Sequence, residues 1–458
     1  MAAAAGLPLA VLALIWYLPW IRRTLRFPME FGPLLAFGCF SVIGVMLGLF
    51  LEIYSFKGET PFSRGVEGLL TLALGLAFFL ITASLVAAKP DRITSWLSWI
   101  HVGAAVALAW SAVQAYYILF FQSEYPDRIR ELHRLVSTHD LFIGRVTGLA
   151  YEPSWFAHQL NLLYFPLWLG SLAVGFTAFP RKAFGIPLEL ILVIGGAAGL
   201  VMSTSRVGLV GFLAMTGVTL LWLGFRGTQG LSSRIRQAIG SRYPSLQQIA
   251  RRLSLLVVTF SLVVGFLIAG MGVILFAARL DWRWSHLFVP TAAKLFSVEY
   301  ANHLLFSERA VYWMGAYGVF ERFPLAGVGL GNVGFFMPET MPAFSWALPE
   351  VMEVFDPGTG LFPNAKSLWL RLLAETGIIG LSLFSVWLLV MLIRAIRLVT
   401  SSDRLRKAIG LMGILALIGA LTEGFSIDSF AFPYLWISMG FVAGAGWGTK
   451  GERPPPEA

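Results

Sequence analysis

The sequence predicts an all-α polytopic membrane protein with about eleven transmembrane helices and a large, partly helical loop on its outer side. The first observation is composition: of 458 residues, 57% are hydrophobic and 13% are charged, and the mean hydropathy is +0.74. An average soluble domain carries about twice that share of charged residues. The second observation is that the apolar residues form long stretches. The third is that basic residues lie in short runs between these stretches, which is typical of a membrane topology signal rather than of a nucleic-acid-binding surface.

The apolar stretches have the length of membrane spans. Crossing the hydrocarbon core of a bilayer takes about 20 mostly apolar residues, and eleven stretches of about this length are bounded by charge, Pro or Gly. We predict a transmembrane helix in each of the stretches 6–21, 32–51, 66–88, 95–121, 158–179, 184–202, 207–225, 254–276, 367–393, 408–422 and 430–447. The single cysteine, Cys39, lies in the second stretch, so neither a disulfide framework nor a cysteine metal site is expected.

The loops predict the orientation. Residues 226–253 contain six arginines and no acidic residue, which places this loop in the cytoplasm by the positive-inside rule. Alternation of the spans then puts the N-terminus outside and the C-terminus in the cytoplasm. The two long loops, 122–157 and 277–366, fall on the outer side, where we expect any chemistry to take place.

This topology divides the chain into four parts. They are an N-terminal bundle of eight spans that includes the first outer loop, a large outer loop, three C-terminal spans and a cytoplasmic tail, at residues 1–276, 277–366, 367–447 and 448–458.

Both outer loops contain helical patterns. The large loop is too rich in aromatic residues for a solvated linker, and its segment Ser307–Phe323 has apolar residues near helical spacing. We expect a helix there that lies on the membrane or caps the bundle. In the other loop, Asp127–Val136 predicts an amphipathic helix whose arginines face either lipid phosphates or water.

A glycine-rich segment follows the first of these helices, with the sequence Pro-Leu-Ala-Gly-Val-Gly-Leu-Gly-Asn at 324–332. Such a segment allows tight backbone turns and close approach to a ligand, and it also suits a plain turn between two surface helices. A nucleotide-binding loop is disfavoured because no strand, turn and helix unit surrounds it.

Arg206 is the first candidate functional residue. It ends the run Ser-Thr-Ser-Arg at the outer junction of the sixth and seventh spans, with no acidic neighbour in the sequence. A guanidinium fixed there can bind a phosphate through two hydrogen bonds, because it stays charged in almost any surroundings. The alternative is an arginine that extends from the bilayer edge into water.

Glu152 is the second candidate. It stands in Tyr-Glu-Pro-Ser-Trp-Phe before the fifth span, with His158 six residues later. A partly desolvated carboxylate at the bilayer edge can act as a general base. A carboxylate is also favoured at a helix N-terminus for purely structural reasons, and the two interpretations are compatible.

Further polar residues lie at the two ends of the large loop. Glu308 and Arg309 open its predicted helix, and Asn364, Lys366 and Arg371 stand where the ninth span begins. Arginines on two outer segments suit a pyrophosphate, which has two charged groups. The six histidines, including His303, show no paired spacing with carboxylates, so no metal site is predicted.

The order of these motifs resembles the O-antigen polymerase and O-antigen ligase superfamily. The motifs that carry the resemblance are Glu-Pro-Ser before a span, Thr-Ser-Arg at 204–206, Glu-Arg at the start of a loop helix, the glycine-rich segment, and Asn364 followed by Leu-Leu-Ala-Glu-Thr-Gly-Ile-Ile-Gly-Leu. The likeness covers roughly residues 145–395, and the span count and the large outer loop agree with it.

The resemblance implies an integral-membrane glycosyltransferase of the bacterial inner membrane, with its active site facing the periplasm. Its donor and acceptor would be undecaprenyl-pyrophosphate-linked saccharides, with membrane lipids and a chain-length regulator as further candidate partners and no nucleic acid, cofactor or metal. The pyrophosphate-binding arginines of such enzymes would correspond to Arg206 and Arg309. Asn364, Lys366, His303 and His158 would complete the substrate-binding set.

One departure bears on the type of reaction. Ligases of this superfamily typically have a His beside the Asn at the end of the large loop, whereas this chain has Pro363 and Asn364. A general base would then be Glu152, with His303 or His158 as substitutes. Together with Glu-Pro-Ser, this favours an inverting polymerase of lipid-linked repeat units. The alternatives are a ligase that transfers the glycan to lipid A core or protein, and a lipid or polysaccharide transporter.

Overall fold

The computed structural model describes residues 8–24, 27–51, 55–137, 139–179, 185–239, 244–291, 293–294 and 297–447. In these ranges the chain is helical, and its only β pairing is an isolated bridge between Phe56 and Glu59. The predicted all-α class is therefore confirmed. The predicted cytoplasmic tail, 448–458, lies outside the described residues.

The described part of the chain contains seventeen α-helices. They are α1 (Leu18–Thr24), α2 (Phe31–Gly48), α3 (Pro61–Ala88), α4 (Ile93–Phe121), α5 (Asp127–Arg134), α6 (Pro153–Gln159), α7 (Phe165–Val174), α8 (Leu188–Ser203), α9 (Arg206–Ile239), α10 (Pro244–Leu280), α11 (Val298–His303), α12 (Ser307–Arg322), α13 (Val333–Thr340), α14 (Pro349–Phe355), α15 (Leu368–Val399), α16 (Arg404–Glu423) and α17 (Pro433–Gly446).

Each of the eleven predicted spans overlaps a helix. Seven described helices are long and apolar enough to cross a membrane, at Phe31–Gly48, Pro61–Ala88, Pro90–Phe121, Arg206–Gly224, Phe260–Arg279, Leu368–Val399 and Arg404–Glu423. The chain is a multi-pass membrane protein. The helices predicted in the outer loops are present as α5 and α12.

The predicted loop 226–253 is wrong in its local structure. Helix α9 continues to Ile239 and α10 begins at Pro244, so most of this segment is helical. The segment contains six Arg and four Gln, which are good helix formers, and a helix can leave the apolar layer without ending.

The chain forms two compact units. Unit 1 comprises residues 1–97, 286–401 and 420–458, and unit 2 comprises 98–285 and 402–419.

Helices α3 and α17 pack closely in unit 1 because small residues face each other. A Cβ atom at Gly444 of α17 would lie 2.5 Å from the carbonyl oxygen of Ala83, and one at Gly440 would lie 2.6 Å from Thr82 Cβ. Contacts between small residues let helix backbones approach in a membrane, where apolar burial itself contributes little. Around this contact the fully buried rings of Phe79, Phe384 and Trp387 form the core.

Arg394 connects three segments of unit 1 through a buried ion pair and a hydrogen bond. Arg394 of α15 donates to Glu30, the residue before α2, and its Nη1 donates to the carbonyl oxygen of Gly446 at 3.1 Å. The sequence places all three positions on the cytoplasmic side, so these contacts agree with the alternation of the spans.

Helix α15 is interrupted at Gly377, whose φ of 61° and ψ of −168° are not helical. The glycine-rich segment 324–332 fills the gap. The amides of Val328 and Gly329 donate to the carbonyls of Ala374 and Glu375 at 3.1 and 2.9 Å. The amides of Ile378 and Ile379 donate to the carbonyls of Pro324 and Leu325 at 2.9 and 3.3 Å. Backbone groups freed inside a membrane protein must find such partners.

This arrangement corrects the interpretation of the glycine-rich segment as a surface turn. Val328 and Leu330 are fully buried, and the glycines approach protein backbone. At Gly331, with φ of 91°, a Cβ atom would lie 2.2 Å from the carbonyl oxygen of Arg64 in α3. The segment is therefore part of the core of unit 1.

Candidate functional site

Unit 2 contains a cluster of arginines at the ends of α8, α9 and α10 that the sequence predicts to be outside. Thr204 has a left-handed backbone, with φ of 53°, and turns the chain between α8 and α9, so that Arg206 becomes the first residue of α9. Arg145, in the loop before α6, donates from Nε to the carbonyl oxygen of Ser203 at 3.0 Å. Arg283, after α10, donates from Nη2 to Thr204 Oγ1 at 3.4 Å. We call Arg145, Arg206 and Arg283, with Asp281 and Glu152, the arginine cluster.

The charges in the arginine cluster influence one another. Asp281 accepts from Arg283 Nε at 2.9 Å and from Nη2 at 2.6 Å. Burial opposes ionisation of Asp281, but the hydrogen bonds from Arg283 and the charges of Arg283 and Arg206 outweigh it and lower the pKa of Asp281. Burial, followed by the charge of Arg283, lowers the pKa of Arg145. Three cations against two anions leave a net charge of +1, which favours an anionic ligand.

Glu152 is the N-cap residue of α6, and Pro153 is the first residue of the helix. Its carboxylate accepts a hydrogen bond from Ser154 Oγ, and its charge acts on Arg145. The predicted base therefore belongs to the same cluster as Arg206. His158, on the same helix, is only 1% exposed and does not present its ring to solvent.

Unit 1 contains a polar cleft on the side that the sequence predicts to be outside. Its volume is about 160 Å³, and its walls come from α3, the end of the glycine-rich segment, the start of α15 and the loop before α17. The residues that line this polar cleft are Arg64, Glu67, Gly68, Thr71, Gly331, Val333, Pro363, Asn364, Arg371, Glu375, Asp428 and Ser429.

Two arginines organise the polar cleft. Arg371 Nε donates to Glu375 Oε2 at 2.8 Å, and the two side chains are only 13% and 2% exposed. Arg371 also donates to the carbonyl oxygen of Asp428. Arg64 pairs with Glu67 one helical turn away, and its guanidinium lies 4.5 Å from the centre of the Phe362 ring.

Asn364 and Arg371, two of the residues singled out where the ninth span begins, line the polar cleft. Asn364 Oδ1 accepts from the amide of Lys366 at 3.0 Å. Lys366 itself pairs with Glu350 at 3.1 Å. Arg309 is half-buried and donates from Nη1 to the carbonyl oxygen of Phe425 at 3.4 Å, and His303 Nε2 lies 3.0 Å from the carbonyl oxygen of His286.

The predicted site residues are thus divided between the units. Glu152, His158 and Arg206 belong to unit 2, whereas His303, Arg309, Asn364 and Lys366 belong to unit 1.

Several charged residues of these sites escaped the sequence prediction. Arg145 and Asp281 stand in irregular segments and Arg283 in a short 3₁₀ helix (Trp282–Phe288), where no periodicity indicates their partners. Arg64 and Glu67 open a predicted span and have the ordinary pattern of an exposed helix pair. Asp428 is an isolated acid between two predicted spans. A useful signal was available for Glu375, because it lies four residues after Arg371, which the sequence analysis had singled out, and two opposite charges near the start of a span are costly unless they have a role.

Comparison with known families agrees with the resemblance. Residues 190–385 match the family model Wzy_C, described as O-antigen ligase. The matched segment contains Arg206, Arg309, the glycine-rich segment and the interrupted part of α15, whereas Glu152 precedes it. No curated protein matches the chain. This match, the multi-pass helical fold and the ordered motifs together support the resemblance of the chain to the O-antigen ligase and polymerase superfamily of membrane enzymes.

Proposed function

We propose that the chain is a metal-independent, inverting glycosyltransferase that polymerises undecaprenyl-pyrophosphate-linked repeat units at the outer leaflet of the bacterial inner membrane. The observation that carries the proposal is the arginine cluster, which provides three guanidinium groups at helix ends predicted to be outside. A pyrophosphate is a strong match for such groups, because each phosphate can accept paired charge-assisted hydrogen bonds.

The proposed reaction needs little from the protein beyond charge stabilisation and proton removal. A hydroxyl oxygen of the acceptor forms a bond to the anomeric carbon of the donor, and the bond from that carbon to the pyrophosphate oxygen breaks. The pyrophosphate leaves with the electron pair, stabilised by Arg206 and its neighbours, and the hydroxyl proton passes to the carboxylate of Glu152. Attack from the face opposite the leaving group inverts the configuration.

The remaining predicted residues keep more limited roles in this proposal. Asn364 lines the polar cleft and suits contact with substrate. His158 is buried and His303 Nε2 contacts a backbone carbonyl, so Glu152 is preferred as the group that reaches the acceptor hydroxyl. The assignment of Arg309 to the pyrophosphate rests on the resemblance alone.

Polymerase is preferred to ligase because Pro363 and Asn364 stand where ligases typically have a His. Metal independence is part of the proposal because the resemblance implies it.

The proposal is tested by elongation of lipid-linked repeat units by the purified protein with and without a chelator. We expect a ladder of products with only the lipid-linked unit present, insensitive to the chelator, and a loss of about 100-fold or more in rate for Arg206→Ala. The control is Arg226→Ala on the same helix, whose side chain donates to the carbonyl of Ala173 at 3.1 Å and which lies on the predicted cytoplasmic side.

Other outcomes separate the alternatives. Transfer only after addition of lipid A core or an acceptor protein identifies a ligase, and transport into liposomes without bond formation identifies a transporter. A full rate with Arg206→Ala removes the arginine cluster from the mechanism.

A further inference from the structure

The polar cleft of unit 1 differs from the arginine cluster in the sign of its charge. Arg64 and Arg371 face three carboxylates, those of Glu67, Glu375 and Asp428, so the lining carries a net charge of −1. A pyrophosphate would meet repulsion here from three anions at short range. The ligand that suits this cleft is therefore neutral or nearly so.

The lining offers both hydrogen-bond acceptors and hydrogen-bond donors. Arg371 donates to the backbone carbonyl of Asp428 and not to its side chain. The carboxylate of Asp428 therefore accepts no hydrogen bond from the described residues. Glu67 is 58% exposed and uses one oxygen for Arg64. On the donor side, Arg64 Nε is buried without a partner among the described residues. The Oδ1 atom of Asn364 accepts from the amide of Lys366 in a local turn, which leaves the side-chain NH₂ group of Asn364 as a donor.

A lining that contains both hydrogen-bond donors and acceptors suits a sugar ring with several hydroxyl groups. Each sugar hydroxyl is both a donor and an acceptor, so adjacent hydroxyls can donate to a carboxylate and accept from a guanidinium or an amide. The volume of about 160 Å³ is below the range of about 300–1,000 Å³ that is usual for drug-sized ligands, and it suits a single sugar residue at the end of a chain.

The walls of the polar cleft are rigid, which reduces the cost of ordering a binding site. Glu375 is buried at the point where the glycine-rich segment fills the gap in α15, and its backbone carbonyl accepts from Gly329 at 2.9 Å. Gly331 lies against the backbone of Arg64. Both arginines also cover aromatic rings, those of Phe362 and Phe430.

We propose that the polar cleft binds a neutral, hydroxyl-rich terminal sugar, and that Glu67 and Asp428 accept hydrogen bonds from its hydroxyl groups. This rests on the proposed function for the identity of the ligand, which is then the acceptor saccharide. Binding to the cleft does not require the transfer reaction, so the two proposals can be tested separately.

The test measures binding of a lipid-free saccharide to the full chain in detergent. The probe is the reducing oligosaccharide released by mild acid from the lipid-linked repeat units of the source cells, with inorganic pyrophosphate as competitor. We expect Glu67→Gln and Asp428→Asn to weaken saccharide binding about tenfold or more, as for loss of a hydrogen bond to a charged group. Pyrophosphate is expected not to displace the saccharide.

The matched control is Glu339→Gln, which removes an exposed partner of an arginine in unit 1, as Glu67→Gln does, but outside the cleft. Thermal melting of each variant shows whether it is folded, and the Glu67 and Asp428 variants are independent of each other. Failure of wild-type protein to bind the saccharide, equal binding by both cleft variants, or displacement by pyrophosphate overturns the inference. Absence of elongation while the cleft variants lose saccharide binding overturns the proposed function and leaves this inference standing.

Discussion

Glu308 and Glu350 bring two carboxyl groups together at the starts of α12 and α14. The amide of Glu350 donates to Glu308 Oε1 at 3.5 Å, and Lys366 pairs with Glu350 at 3.1 Å. Burial, followed by the negative charge of Glu350, raises the pKa of Glu308 above its ordinary value. Folding thus favours the protonated form of Glu308.

This raised pKa predicts a stability change with a defined sign. The contribution of Glu308 is fully present below the ordinary glutamate pKa and is lost as pH rises through the raised folded value. Glu308→Gln stays neutral, so it should raise the melting temperature by about 2 °C at pH 8 and leave it unchanged at pH 4. Differential scanning fluorimetry of the purified protein at the two pH values measures the effect.

Glu299→Gln is the control of opposite sign. Hydrogen bonds from Ser297 and from its own backbone lower the pKa of Glu299, so its replacement should give no gain at pH 8. An equal gain for both variants, or a gain for Glu308→Gln that is larger at pH 4, would contradict the assignment.

At the scale of residues, the sequence indicated single charges better than their partners. Arg206 and Glu152 could be chosen because each stands alone beside an apolar stretch, where a charge is costly. Their neighbours Arg145, Asp281 and Arg283 come from segments up to 138 positions apart (283 minus 145), and only the fold brings them together.

The gap in α15 is the central feature at the scale of elements. Gly377 adopts a backbone conformation that is almost restricted to glycine, and a Cβ atom there would lie 2.2 Å from the carbonyl oxygen of Leu325. That carbonyl accepts the amide of Ile379 at 3.3 Å, so moving it away would break this hydrogen bond.

Gly377→Ala should therefore destabilise unit 1 severely, by about 4 kcal/mol or more, and lower the yield of folded protein. Gly38→Ala in α2 is the control, since its Cβ would meet only the Leu76 side chain at an ordinary 3.7 Å. Size-exclusion profiles and melting temperatures of the two variants provide the measurement. A Gly377→Ala protein as stable as the Gly38→Ala protein would show that the gap is not required.

The helices themselves could be predicted, and the gap could not. Apolar length alone locates a membrane helix, and one glycine within it is normally tolerated. The pairing of Gly377 with 324–332 depends on backbone hydrogen bonds between segments that are about 50 residues apart, for which the sequence has no periodic signal.

At the scale of the whole molecule, the sidedness of the loops remains a prediction with a direct test. In a Cys39→Ser background, Gly360→Cys places a single thiol in the large outer loop, and Ser402→Cys places one in the loop before α16. Both positions are exposed. In right-side-out vesicles, an impermeant maleimide should label the first position at once and the second only after permeabilisation.

The Cys39→Ser protein without an added cysteine is the control, and it measures maleimide labelling that does not come from the introduced thiols. The reverse labelling pattern would invert the topology and remove the arginine cluster from the outer side.

Sidedness was predictable because it depends on loop charge, which is a local property. The grouping of residues 1–97 with 286–401 and 420–458 was not, because it depends on close fits such as that of Gly444 against Ala83.

The filled gap in α15 also constrains how the protein is made. The glycine-rich segment is synthesised about 50 residues before the gap that it fills. Its hydrogen bonds to α15 can therefore form only after the region around Gly377 has been synthesised. If α15 entered the bilayer alone, its unpaired carbonyls and amides would be exposed to hydrocarbon at a cost of several kcal/mol each. Insertion of α15 and docking of the loop must therefore be completed together. The large loop is in this sense a template for a membrane helix, and a shortened protein without it would lack the means to finish its own insertion.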